Sequence, residues 1–167
     1  AAAGIVALAE EDDAREPVPQ VTRDDEAAIE GVWRLVKAER GGTPQVLEQG
    51  LQVVFAAGWT GLKQGDAVGN VGRYELDATR APKHLNLPRG NSVVKGVYEL
   101  DEDRLVFALP AGPRRERPGK VATQLGDGIT VMTLERTEST REQLDQLAVE
   151  LERTAQAQES SRDGQNE

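Results

Sequence analysis

His84 is the only histidine among 167 residues, and no cysteine accompanies it. Thiol nucleophiles, thiolate metal sites and disulfides are therefore excluded. A histidine-dependent triad would rest on His84 alone, and no Gly-x-Ser-x-Gly elbow supports one. Alternation with Asn86 places His84 on the outer face of a strand, where a surface role is expected. Glu99, Asp101, Glu102 and Asp103 could attract a cation, but they lack the glycine and distal glutamate of an EF-hand loop, and a solvated hairpin tip is the expected reading. Gly112 and Gly119 stand too far apart for a phosphate-binding loop, and Val121 occupies the position that needs Ser or Thr. Arg114, Arg115, Arg117 and Lys120 form a basic cluster without interleaved aromatics, so it offers no stacking platform for single-stranded nucleic acid. It reads as a solubilising loop or as a docking site for an acidic partner or an anionic ligand group. No metal site and no cofactor site is expected.

The remaining chemistry is burial. Trp33, Phe55, Tyr74, Tyr98 and Phe107 fall on what alternation makes one apolar interior, either a packed core or the lining of a pocket for a hydrophobic molecule. Packing is the default for a small domain, which has little apolar area to spare for an empty cavity.

The elements that must position these residues follow from charge and periodicity. Residues 1–30 hold nine acids and two bases, residues 31–135 twelve acids and fourteen bases, and residues 136–167 eight acids and four bases, for a net charge of −9. The middle segment also holds all six aromatics and 15 of the 17 glycines, which places the core there between acidic, solvated ends. A chain of this charge is repelled by phosphate backbones, so nucleic acid is not an expected partner. No apolar run is long enough for a transmembrane helix.

From Gly31 the pattern has period two with glycine-bearing turns, which predicts an all-β antiparallel chain. Strands are expected near 31–39, 51–57, 59–64, 68–77, 83–88, 92–101, 104–109 and 128–135, with another near 120–124. Gly31-Val32-Trp33-Arg34-Leu35, Gly72-Arg73-Tyr74-Glu75-Leu76 and Gly96-Val97-Tyr98-Glu99-Leu100 repeat one form, Gly-x-aromatic-charged-Leu. Each puts glycine, aromatic and leucine on one face, and the glycine gives room where a sheet bends or closes. About eight strands in a consecutive meander predict a small barrel in preference to a sandwich.

The stretch from Ile29 to Thr137 resembles an uncharacterised lipocalin-like domain family numerous in planctomycete bacteria. The resemblance rests on Ile29-Glu30-Gly31-Val32-Trp33, the Gly41-Gly42 turn, Leu51 to Phe55, Gly72 to Asp77, Pro82 to Leu87, Gly96 to Asp101, Arg117-Pro118 and Leu134-Glu135-Arg136. The Gly31-x-Trp33 opening is also similar to the first-strand signature of lipocalins. The resemblance implies a small, often exported β-barrel with no established activity, and it raises the expectation of a pocket. Trp59-Thr60-Gly61-Leu62 departs from the family resemblance, being less polar than expected at that strand.

Ala1 to Ala9 reads as the end of a signal peptide, with Ala7-Leu8-Ala9 before a run of acids, and residues 10–28 as an acidic linker, flexible from Glu10 to Arg23 around Pro17 and Pro19. The barrel is expected over 29–137. Ser139-Thr140-Arg141-Glu142 reads as a capping box, and Leu144, Leu147, Ala148, Leu151 and Ala155 follow at helical spacing. An amphipathic helix is expected over 138–158, densest at 140–157, with a disordered tail at 159–167. Its stripe either docks on the barrel or pairs with another chain.

The function expected first is a monomeric, non-enzymatic module exported to the periplasm or beyond. It binds a small hydrophobic or amphipathic ligand among Trp33, Phe55, Tyr74, Tyr98 and Phe107, with Arg117 for an anionic head group. The alternative is a cell-envelope interaction module with a filled barrel, meeting a protein partner through residues 140–157 or the basic loop.

Overall fold

The computed structural model describes residues 17–47, 49–89, 92–110 and 116–165. The signal-peptide segment, residues 10–16 of the linker, and Arg114 and Arg115 of the basic cluster lie outside the described residues. In chain order the elements are α1 (Gln20–Ile29), β1 (Gly31–Arg40), β2 (Thr43–Pro44), β3 (Leu51–Ala56), β4 (Trp59–Gln64), β5 (Ala67–Arg73), β6 (Glu75–Asp77), β7 (Lys83–Arg89), β8 (Ser92–Leu100), β9 (Arg104–Leu109), β10 (Thr130–Arg136) and α2 (Arg141–Gln165).

All the pairings are antiparallel, and the order β5-β4-β3-β1-β10-β9-β8-β7-β6 is a meander whose ends meet at β1 and β10. The two-residue β2 hangs on the end of β1. β5 and β6 are one strand interrupted at Tyr74; its first part pairs with β4 and its second with β7, which brings the sheet round into a nearly closed barrel. Where β5 passes β7 the seam is made by packing: a Cβ on Gly72 would stand 2.5 Å from the Cβ of Pro88. Proline has no N–H to offer a ladder, and the glycine leaves space for its ring. No strand forms at 120–124; that stretch belongs to the loop before β10, where Thr123 accepts a hydrogen bond from the Gly42 N–H at 3.1 Å.

The interior half of each strand builds one core. Trp33, Phe55, Leu85, Leu105 and Leu134 are fully buried and Tyr98 and Phe107 almost so, with Ile29 of α1 among them. Phe55 and Tyr74 meet edge to face, centroids 5.0 Å apart, a favoured aromatic geometry.

The helix α1 corrects the expectation of an acidic linker reaching 28. It plugs one end of the barrel. Thr22, Asp25 and Ile29 share a face, and only Ile29 is a large apolar residue, so hydrophobic periodicity could not reveal it. Thr22 Oγ1 accepts from the Ala78 N–H at 3.0 Å. The carboxylate of Asp25 accepts from the Tyr98 hydroxyl at 2.7 Å and from Lys83 at 2.9 Å. Arg136 fastens the helix C-terminus: its guanidinium lies 4.3 Å from the centroid of the Trp33 ring and donates to the carbonyls of Ala28, Glu30 and Glu102. A cation there meets the negative end of the helix dipole. A Cβ on Gly31 would stand 2.8 Å from Arg136 Nη1, so the glycine before Trp33 makes room for the arginine above it.

α2 lies on the outside of β3, β4 and β5. Leu144, Leu151 and Ala155 are buried against Val32, Val54, Ala56 and Val71, flanked by Trp59 and Val68. This explains the unpolar outer face of β4, since Trp59 and Gly61 meet a helix there. Its cap is a reciprocal box one residue later than expected: the Gln143 N–H donates to Thr140 Oγ1 at 3.1 Å and the Thr140 N–H to Gln143 Oε1 at 2.9 Å. The helix runs to Gln165, beyond the expected end at 158 and into the stretch expected to be disordered. At the β5 bulge, Gln158 bonds both the N–H and the carbonyl of Val71.

Candidate functional site

With α1 closing one end, the free volume of the barrel collects at the other. A cavity of about 330 Å³ opens there, walled by Val53, Leu62, Leu87, Val94, Leu109 and Met132 and floored by Phe107. Thr60, Asn70, Thr130, Arg40 and Arg89 supply its polar groups. The volume is at the small end of the range for ligand pockets, roughly 300–1,000 Å³.

Two bulges decide what lines it. β1 pairs Leu35 with Leu134 but Lys37 with Thr133, so one extra residue interrupts the alternation. Beyond it Ala38 is buried and Arg40 reaches the cavity, whereas Lys37 and Glu39 face an outer groove with Glu99 and Arg104. Regular alternation from Trp33 would have sent Lys37 and Glu39 inward and Arg40 out, because a shift of one residue exchanges the faces. On β5, Asn70 and Val71 both oppose Gly61, with Asn70 at φ 49°. The backbone there is left-handed, a conformation Asn tolerates better than most residues. Val71 then faces α2 while Asn70 faces the cavity.

Of the six residues predicted to bind a ligand, Phe107 lines the cavity. Trp33, Phe55, Tyr74 and Tyr98 fill the half of the barrel next to α1, and the polar atoms of Trp33 and Tyr98 are committed. Trp33 Nε1 donates to the Ile29 carbonyl at 2.8 Å, and burial, reinforced by the bond to Asp25, raises the Tyr98 phenol far above its ordinary range. Arg117 is not at the cavity. It lies on the outer face of β7 and β8, donating to Gly96 O at 2.7 Å, Leu85 O at 3.3 Å and Asn86 Oδ1 at 2.8 Å. The glycine and the aromatic of each repeat therefore close a barrel; they do not wall a pocket.

The other chemistry-bearing residues are placed as follows. His84 is partly buried on the outer face of β7, and burial, with Arg117 and Arg80 nearby, holds its imidazole below the ordinary range. Asp101, Glu102 and Asp103 form the β8–β9 hairpin, where the backbone carbonyls of Glu102 and Asp103 accept from Arg136. Arg89 could have been read from the sequence, since Leu85, Leu87 and Arg89 share a face; Arg40 could not, because its inward turn depends on the bulge.

Fold and cavity together define a class: a nearly closed antiparallel barrel, plugged by a helix at one end and open to a small apolar cavity at the other. No family model, no curated protein and no solved structure matches this chain. No helix among the described residues is long and apolar enough to cross a membrane.

Proposed function

We propose that this domain is a non-enzymatic binding module that takes a small hydrophobic or amphipathic molecule into the open end of its barrel. The observation that carries the reading is the cavity itself: an aliphatic wall with a few polar groups, in a barrel whose other half is filled. Apolar surface left unfilled forfeits packing contacts on one side, and a ligand of complementary shape restores them. The apolar stripe of α2 rests on its own barrel, which favours this reading over partner docking through the helix. The Gly31-x-Trp33 opening with Arg136 stacked on Trp33 supports a lipocalin-like kinship, and Ala7-Leu8-Ala9 before the acidic run supports export to the periplasm or beyond.

The test is native mass spectrometry of the protein purified gently from a bacterial host, followed by titration with the apolar fluorophore N-phenyl-1-naphthylamine. Wild type is expected to carry or take up one apolar molecule. Met132→Trp, which fills the cavity from its wall, is expected to lower probe affinity by at least about tenfold, a loss of roughly 1.4 kcal/mol. Equal binding by both proteins would place the probe elsewhere and refute the cavity as the site.

A further inference from the structure

We infer that the ligand is an anionic amphiphile, an alkyl chain ending in a carboxylate, whose head group is held by Arg40 and Arg89 at the cavity mouth. The inference rests on the cavity reading above and adds the chemical class. In a chain with 29 acids against 20 bases, the cavity is lined, among the described residues, by two arginines and by no Asp or Glu. Both are exposed at strand ends, and neither guanidinium has a hydrogen-bond or ion-pair partner among the described residues. By contrast Arg34, Arg80 and Arg141 pair with carboxylates, and Arg117 and Arg136 bond backbone carbonyls.

Two unpaired cations facing one opening repel each other until an anion enters, and a guanidinium presents the planar fork that matches a carboxylate's two oxygens. The β1 bulge brings Arg40 to this position. Behind the arginines the wall is aliphatic, so a ligand that satisfies the whole site carries its charge at one end and an apolar chain behind it.

Isothermal titration calorimetry with decanoate, decanol and decyltrimethylammonium compares heads on one chain. Wild type is expected to bind decanoate about tenfold more tightly than decanol and to bind the ammonium most weakly, with the decanoate preference shrinking as salt is added. In the Arg40→Gln/Arg89→Gln variant, decanoate affinity is expected to fall to about that of decanol. Thermal unfolding of the variant checks that the fold is intact, which the exposure of both side chains favours. Equal affinity for decanoate and decanol in wild type, or a decanoate preference that survives in the double variant, overturns the anion assignment and leaves the cavity reading standing. Binding of none of the three, together with no uptake of the apolar fluorophore, refutes the cavity reading and this assignment with it.

Discussion

Leu151 of α2 sits in a notch that Gly61 opens in β4, and the fit can be measured as a coupling energy. A Cβ at Gly61 would stand 2.8 Å from Leu151 Cδ2 and 3.1 Å from Val71 Cγ2, and Leu151 is fully buried. Leu151→Ala cuts the isobutyl group back to a methyl and leaves a hole between helix and sheet, at a cost of about 3 kcal/mol. Gly61→Ala overpacks the same spot, costing about 1–3 kcal/mol. Backbone restriction of the unfolded chain offsets about 0.4–1 kcal/mol of that, because Gly61 is not in the left-handed region. The two defects are complementary: the added methyl occupies part of the hole. The double variant should therefore be less destabilised than the sum by about 1–2 kcal/mol. Urea unfolding followed by far-ultraviolet circular dichroism, for the helix, and by tryptophan fluorescence, for Trp33 and Trp59, gives the energies and tests whether helix and barrel unfold together. At about 2–4 °C per kcal/mol for a chain of this size, Leu151→Ala should lower Tm by roughly 6–12 °C. A Leu151→Ala cost under about 0.5 kcal/mol, or strict additivity of the pair, would refute docking of α2 in this notch.

Arg136→Met keeps the bulk over Trp33 but removes the donors to the carbonyls of Ala28, Glu30 and Glu102; it should cost about 2 kcal/mol, read as a drop in the urea midpoint, and an unchanged midpoint would show that the plug does not depend on this cation. The Ile129 and Gln124 N–H groups hold the Asp127 carboxyl below its ordinary 3.8. A folded pKa below the unfolded one contributes stability that is complete above the unfolded value and is lost as pH falls through the folded value. The gap in unfolding midpoint between wild type and Asp127→Asn should thus be constant near neutrality and shrink below about pH 4; a gap independent of pH contradicts the assignment. Thr60→Val replaces a hydroxyl in the cavity lining with a methyl of similar shape, so it should tighten decanoate binding several-fold by calorimetry, whereas weaker binding would mean that the hydroxyl contacts the ligand.

Strand placement was legible because period-two alternation and glycine spacing are local properties, and seven of the expected strands recur within a few residues. The stretch expected at 68–77 returns as β5 and β6, split at Tyr74, and 120–124 forms no strand. The helical stripe of α2 was equally plain, though its cap fell one residue on, at Thr140 and Gln143. α1 was hidden because its docking uses a threonine hydroxyl, an aspartate and one isoleucine, and its acids read as solvated charge. The outer face of β4 is apolar because α2 lies across it. An alternation pattern reports that a face is covered without saying by what.

The amino-acid sequence by itself determined the class of fold, since each Gly-x-aromatic-charged-Leu repeat commits a strand to one inner face and a meander of such strands must close to hide its edges. It also excluded thiol chemistry, since the chain has no cysteine, and a phosphate-binding loop, since Gly112 and Gly119 stand too far apart. Tertiary structure alone decided which inner residues fill the barrel and which border open space. The aromatics Trp33, Phe55, Tyr74 and Tyr98 became core because α1 closes their end, and Arg40 became a mouth residue because one bulge turned the last part of β1 over. A side chain's face follows from its neighbours in sequence, but whether it meets packing or a cavity depends on which distant segment covers that end, and a single inserted residue reverses the face itself.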